Sequence, residues 1–152
     1  MARIVLSYPT DSRTRQATAS IDWIPSIFWA ASIFFLSTSI FSSNNTASVI
    51  VPILRWLMPT ASPGTIAATH YFIRKLAHFS AYALLFLLLV RGPMRERPGM
   101  ALALCAAYAL LDEGHQMFVP SRTPSLHDVA LDFSGALFSH MARLAVSALA
   151  KA

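Results

Sequence analysis

The sequence predicts an all-α integral membrane bundle of four transmembrane helices, with a short interfacial segment between the first and second. Three observations lead there. The 152 residues are 55% hydrophobic and only 12% charged, with a mean hydropathy of +0.53, whereas soluble domains carry about twice that charge. The polar residues gather in the two tails and a few short loops. Four long stretches between them are nearly free of charge, and each is close to the length a helix needs to cross a bilayer.

Residues 1–21 are polar, hold Arg3, Arg13 and Arg15, and have the composition of a cytoplasmic tail. The tail is Arg- and Ser-rich like a transit peptide, but Asp11 and Tyr8-Pro9 count against one. The first span runs from about Trp23 to Phe41, long for a cleaved signal. Ser32 and Ser39 mark a face on which small residues favour close helix packing. Residues 42–69 form a connection holding Pro52, Pro59 and Pro63. Within it Val49–Met58 is apolar, carries Arg55 and Trp56, and is too short to span. That piece is expected to lie flat at the interface. Asn44-Asn45-Thr46 matches a glycosylation sequon by chance.

The second span begins near His70 and ends at Val90, where Arg91-Gly92-Pro93 is a stop. Arg91–Gly99 is a short basic loop. The third span covers about Met100 to Gln116, and Met117–Ser125 is a turn with Pro120 and Pro124. The fourth covers about Leu126 to Val146. The tail 1–21 thus precedes one membrane domain, 22–148, with no internal repeat.

Orientation follows from the basic residues. Arg3, Arg13, Arg15, Arg91, Arg95, Arg97, Arg143 and Lys151 fall on one side, which is therefore cytoplasmic, as are both termini. The net charge of +5 then reflects topology, and nucleic acid is not an expected partner. Cys105 is the single cysteine, so it forms no internal disulfide and belongs in lipid or bundle interior.

The ionisable residues converge on the outer end of this bundle. Lys75, His78 and Tyr82 follow at helical spacing on the second span. Asp112, Glu113 and Gln116 lie within about 100° of arc on the third. Asp128 and Asp132 share a face of the fourth, continued by Gly135, which is expected to let helices approach closely. Arg122 stands in the Pro-flanked turn. His78 and Asp132 fall at matching depths, about 5 Å below the points where their helices enter the membrane, at Arg74-Lys75 and His127-Asp128. A charge at the centre of a span costs about 2.5–3.5 kcal/mol, so these groups should face one another.

Each has a structural reading as well. Arg74 and Lys75 suit a helix end at the interface. His78 with Tyr82 suits a buried hydrogen bond, and Glu113 suits pairing with Lys75 or Arg122. Asp128 suits an N-terminal cap or dipole partner, and His115 and His127 suit the interface. No tight ligand spacing such as HExxH occurs, so neither a metal nor another cofactor is expected.

Two segments carry a family resemblance. Ile73-Arg-Lys-Leu-Ala-His-Phe-Ser-Ala-Tyr82 resembles the RKxAHFxxY signature of VanZ-like membrane proteins. Leu111-Asp-Glu-Gly-His-Gln-Met-Phe-Val-Pro-Ser-Arg122, with His127-Asp-Val and Asp132-Phe-Ser-Gly135, resembles that family's second signature. The match covers roughly 70–140; Ala81 and Ser121 depart from the pattern, standing where an acidic residue and a glycine are common. The resemblance implies a bacterial cytoplasmic-membrane protein linked to glycopeptide, notably teicoplanin, tolerance.

Two roles remain open for the cluster. In a binding protein, Lys75 and Arg122 grip an anion such as the phosphate or carboxylate of an envelope lipid or cell-wall component. There Glu113, Asp128 and Asp132 orient them, His78 and Tyr82 complete the pocket, and Asp112 and Gln116 are further binding residues. In an enzyme acting on a lipid-linked substrate, Glu113 or His78 is the general base. A purely structural membrane partner is the third reading.

Overall fold

The computed structural model describes residues 12–38, 42–119 and 124–150. Five helices, and no strand, occur among them: α1 (Ser12–Leu36), α2 (Ser43–Leu57), α3 (Pro63–Arg91), α4 (Pro98–Gln116) and α5 (Leu126–Leu149). One of them, α3, is long and apolar enough to cross a membrane; α1 holds a shorter apolar stretch, Asp22–Leu36. The structure thus establishes the all-helical class and one membrane-capable helix.

The helix ends differ from the sequence reading in instructive ways. The polar tail is helical from Ser12, and α1 ends at Leu36, short of Phe41, which with Ser39 lies outside the described residues. Ser32 donates to the Phe28 carbonyl of its own helix at 2.9 Å, so it bridges nothing. α2 starts at Ser43, six residues before the apolar piece. α3 starts at Pro63, seven residues before His70, because Ser62 caps it: the Ser62 hydroxyl accepts from the Thr65 N–H at 3.1 Å. Serine followed by proline is an N-cap and first-turn pair. Hydropathy locates the apolar middle of a helix, and the cap locates its beginning.

α3 is the hub. It packs most extensively on α5 and also touches α1, α2 and α4. Its large side chains Tyr82, Phe86 and Leu89 fill the core against the small residues Ala101, Cys105 and Ala109, each four apart on α4, and Ala136 on α5. Gly135 permits the closest approach, since a Cβ there would fall 2.1 Å from the Phe79 carbonyl oxygen. Cys105 is fully buried, as an apolar-run cysteine should be. α1 is tied on by directed bonds: Trp29 Nε1 donates to the Ala81 carbonyl at 2.9 Å, and the Tyr108 hydroxyl to the Ala30 carbonyl at 2.6 Å.

Burial is reversed relative to a protein built for water. Phe28, Trp56, Phe72, Leu111 and Phe138 point outward on the five helices, while Asp112, Glu113, Gln116 and Asp132 are buried. Outward apolar surface of this extent marks a lipid or partner interface.

Candidate functional site

The middle of α3, the C-terminal end of α4 and the N-terminal end of α5 bring the polar residues together. Lys75 forms an ion pair with Asp128, and its ammonium stands 5.1 Å from the Tyr71 ring centroid. One turn deeper, His78 Nδ1 meets Asp132 Oδ1 at 3.2 Å. The depth match between these two residues is therefore realised as a direct bond. Asp132 is fully buried, so its charge depends on that imidazole.

A second group centres on α4. Glu113 Oε2 accepts the Ser125 backbone N–H at 2.7 Å, holding the start of α5. Gln116 Nε2 donates to Asp112 Oδ2 and Glu113 Oε1, each at 3.3 Å. Asp112 Oδ2 also accepts from the Ser37 hydroxyl at 2.8 Å. Asp112 and Glu113 are neighbours in sequence yet point about 100° apart, so one faces α1 and the other α5.

Several expectations need correction. Lys75 pairs with Asp128 rather than Glu113, because Asp128 stands opposite it on α5 while Glu113 is turned to Ser125. Of the two roles open to Asp128, Ser125 takes that of the cap, and Asp128 lies in the first turn of α5, where a carboxylate is the dipole partner. His78 does not bond Tyr82, whose buried hydroxyl has no protein partner. His115 stacks on Phe34 with ring centroids 4.5 Å apart, while His127 is exposed. Arg122 lies outside the described residues. Among those described, no three His, Cys, Asp or Glu side chains stand close enough to hold a metal.

Beside this cluster a cleft of about 180 Å³ opens between α1, α2 and α3. Ile33, Leu36, Ala77 and Ala81 make its apolar wall, and Arg74, His78, Ser37, Thr46 and Tyr82 its polar part. α2 is held against α3 there by Thr46 Oγ1 and His70 Nε2, 3.4 Å apart. Lys75 and His78 each meet a carboxylate, but among the described residues none pairs with Arg74.

A family model for VanZ/LLP1 matches residues 12–146. The chain belongs to the VanZ/LLP1 family. The match covers every residue of the cluster and the first span and loop as well, where the signature resemblance began only near residue 70. No curated protein and no solved structure is detectably similar to it. Membership carries the family's association with resistance and with membranes.

Two residues of the cleft escape a reading of the sequence. Arg74 looks like a second interfacial cation beside Lys75, although its spacing of four and eight residues to His78 and Tyr82 places all three on one face of α3. Ser37 offers no such signal; it reaches Asp112 across 75 residues of chain.

Proposed function

We propose that this VanZ/LLP1 protein is a multi-pass bacterial inner-membrane protein that holds the anionic head of an envelope lipid or lipid-linked cell-wall component at the outer end of its bundle. α1, α3, α4 and α5 are its four spans, α2 lies at the interface, and both termini are cytoplasmic, so residues 22–148 form one membrane domain. Tolerance to glycopeptides such as teicoplanin follows from occupying or presenting that ligand.

One observation carries this reading: among the described residues Arg74 has no carboxylate partner, and it lines an apolar-walled cleft one turn from His78. An unpaired guanidinium beside apolar surface suits an amphiphile whose anion takes its fork of N–H groups. Lys75, already engaged by Asp128, fixes α3 to α5 instead. Asp132 holds His78 through Nδ1, leaving Nε2 for the ligand. Arg122, which lies between α4 and α5 in the sequence, is the second guanidinium proposed for the anion.

Glycopeptide tolerance of cells expressing each variant tests the reading, with melting in detergent measured in parallel. Arg74→Gln, Arg122→Lys and Glu113→Gln should lose tolerance while keeping their melting temperature. Full tolerance in all three, or loss only in step with stability, overturns it.

The His78–Asp132 bond favours a second reading. A buried carboxylate orienting an imidazole is the arrangement of a general base, and the lipid-linked ligand is then a substrate. Asp132→Asn would in that case abolish turnover without releasing the ligand.

A further inference from the structure

We infer that the amphiphile in the Arg74–His78 cleft is zwitterionic: its anion meets Arg74, and a neighbouring ammonium meets Ser37 and Tyr82 in front of Asp112. The inference rests on the proposed lipid-binding role and names the ligand's chemical class.

Three observations, just past the end of α1 and on α3 and α4, point to the ammonium. Ser37 lines the cleft and has already given its proton to Asp112 Oδ2 at 2.8 Å. The remaining capacity of its oxygen is to accept, so it calls for a donor from the ligand. Tyr82 lines the same cleft, is fully buried, and its hydroxyl has no protein partner. Asp112 is only 2% exposed, and its Oδ1 also lacks a partner.

The charge balance points the same way. A carboxylate inside an apolar bundle is costly unless a cation accompanies it. Lys75 is taken by Asp128 and His78 by Asp132, and the neighbours bonded to Asp112, Ser37 and Gln116, are neutral. Among the described residues Asp112 therefore has no counter-ion, just as Arg74 has none at the other part of the cleft. One cation in the cleft wall and one carboxylate behind it, bonded to the lining residue Ser37, each without a counter-ion among the described residues, are complementary to a ligand bearing both charges. A purely anionic ligand would satisfy Arg74 and leave Asp112 uncompensated. The apolar wall takes the chain of the amphiphile.

The test is competitive lipid binding to the full chain purified in detergent, read by native mass spectrometry. The probes are phosphatidylethanolamine, which carries phosphate and ammonium, and phosphatidylglycerol, which carries phosphate alone. Wild type should favour the ethanolamine lipid on the order of tenfold, the scale of one charge-assisted hydrogen bond. Asp112→Asn should erase that preference while phosphatidylglycerol still binds. Ser37→Ala should lower it in the same direction and serves where Asp112→Asn fails to fold. Arg74→Gln should weaken both lipids.

Equal binding of the two lipids by wild type, or a preference that survives both Asp112→Asn and Ser37→Ala, overturns the zwitterion inference and leaves the anion site standing. Binding of neither lipid, or binding of both that ignores Arg74→Gln, removes the two together.

Discussion

Gly135 is where a single methyl group should do most damage. Built onto the backbone, a Cβ at 135 falls 2.1 Å from the Phe79 carbonyl oxygen and 2.9 Å from its carbon. Real Cβ contacts keep at least 3.0 Å, so the oxygen must retreat by about 0.9 Å. That oxygen belongs to the main chain of α3 and is tied into its helix, so no rotamer change relieves the overlap. Overpacking of this kind costs about 1–3 kcal/mol, and a blocked backbone lies toward the upper end. Alanine gains about 1 kcal/mol over glycine in helix propensity. Gly135→Ala should then lose about 1–2 kcal/mol net, a fall of about 2–8 °C in melting temperature for a chain of this length. The displaced residue adjoins His78, so the bond to Asp132 should lengthen as well.

The control is Gly114→Ala on α4, where a Cβ meets nothing within 4 Å and stability should hold or rise. Both variants are compared by thermal melting in the same detergent. A Gly135→Ala melting point at or above wild type refutes the claim that α3 and α5 touch backbone to backbone at this position. Equal shifts in the two variants would show that the effect is not one of packing.

Three further outcomes are expected. In a Cys105→Ala background, cysteines at Ser62 and Thr123 should react with an impermeant thiol reagent in intact cells and one at Glu96 should not; the reverse pattern inverts the proposed topology. Lys75→Met and Asp128→Leu should each destabilise, and the double variant should recover part of the loss. The side chains are 24% and 17% exposed, so a double-mutant cycle should give a coupling of about 1–3 kcal/mol, and a coupling near zero would dismiss the pair as a clamp between α3 and α5. Tyr108→Phe should cost about 1 kcal/mol by losing its 2.6 Å bond to Ala30, and an unchanged melting point would mean α1 is held by packing alone.

The sequence by itself determined the helical class, the approximate apolar middle of each long helix, and which faces of α3, α4 and α5 carry charge. These are local properties: hydropathy is a running sum, and a residue's face follows from its position in a 3.6-residue turn. It also determined that Gly135 meets another helix and that His78 and Asp132 share a depth, because rise per residue is fixed. Only the tertiary structure decided who pairs with whom. Arg74 and Lys75 are adjacent, as are Asp112 and Glu113, and each adjacent pair diverges by about 100° around its helix. Which carboxylate Lys75 meets depends on how the helices are turned about their axes, and no periodicity specifies that rotation. The complementary packing of large residues on α3 with Ala101, Cys105, Ala109 and Gly135 does. The same packing, with the bonds that tie α1 to Ala81 and Tyr108, brings Ser37 to Asp112 and leaves Arg74 facing the cleft. An isolated serine and one of two neighbouring cations carry no mark in the sequence of what they will meet.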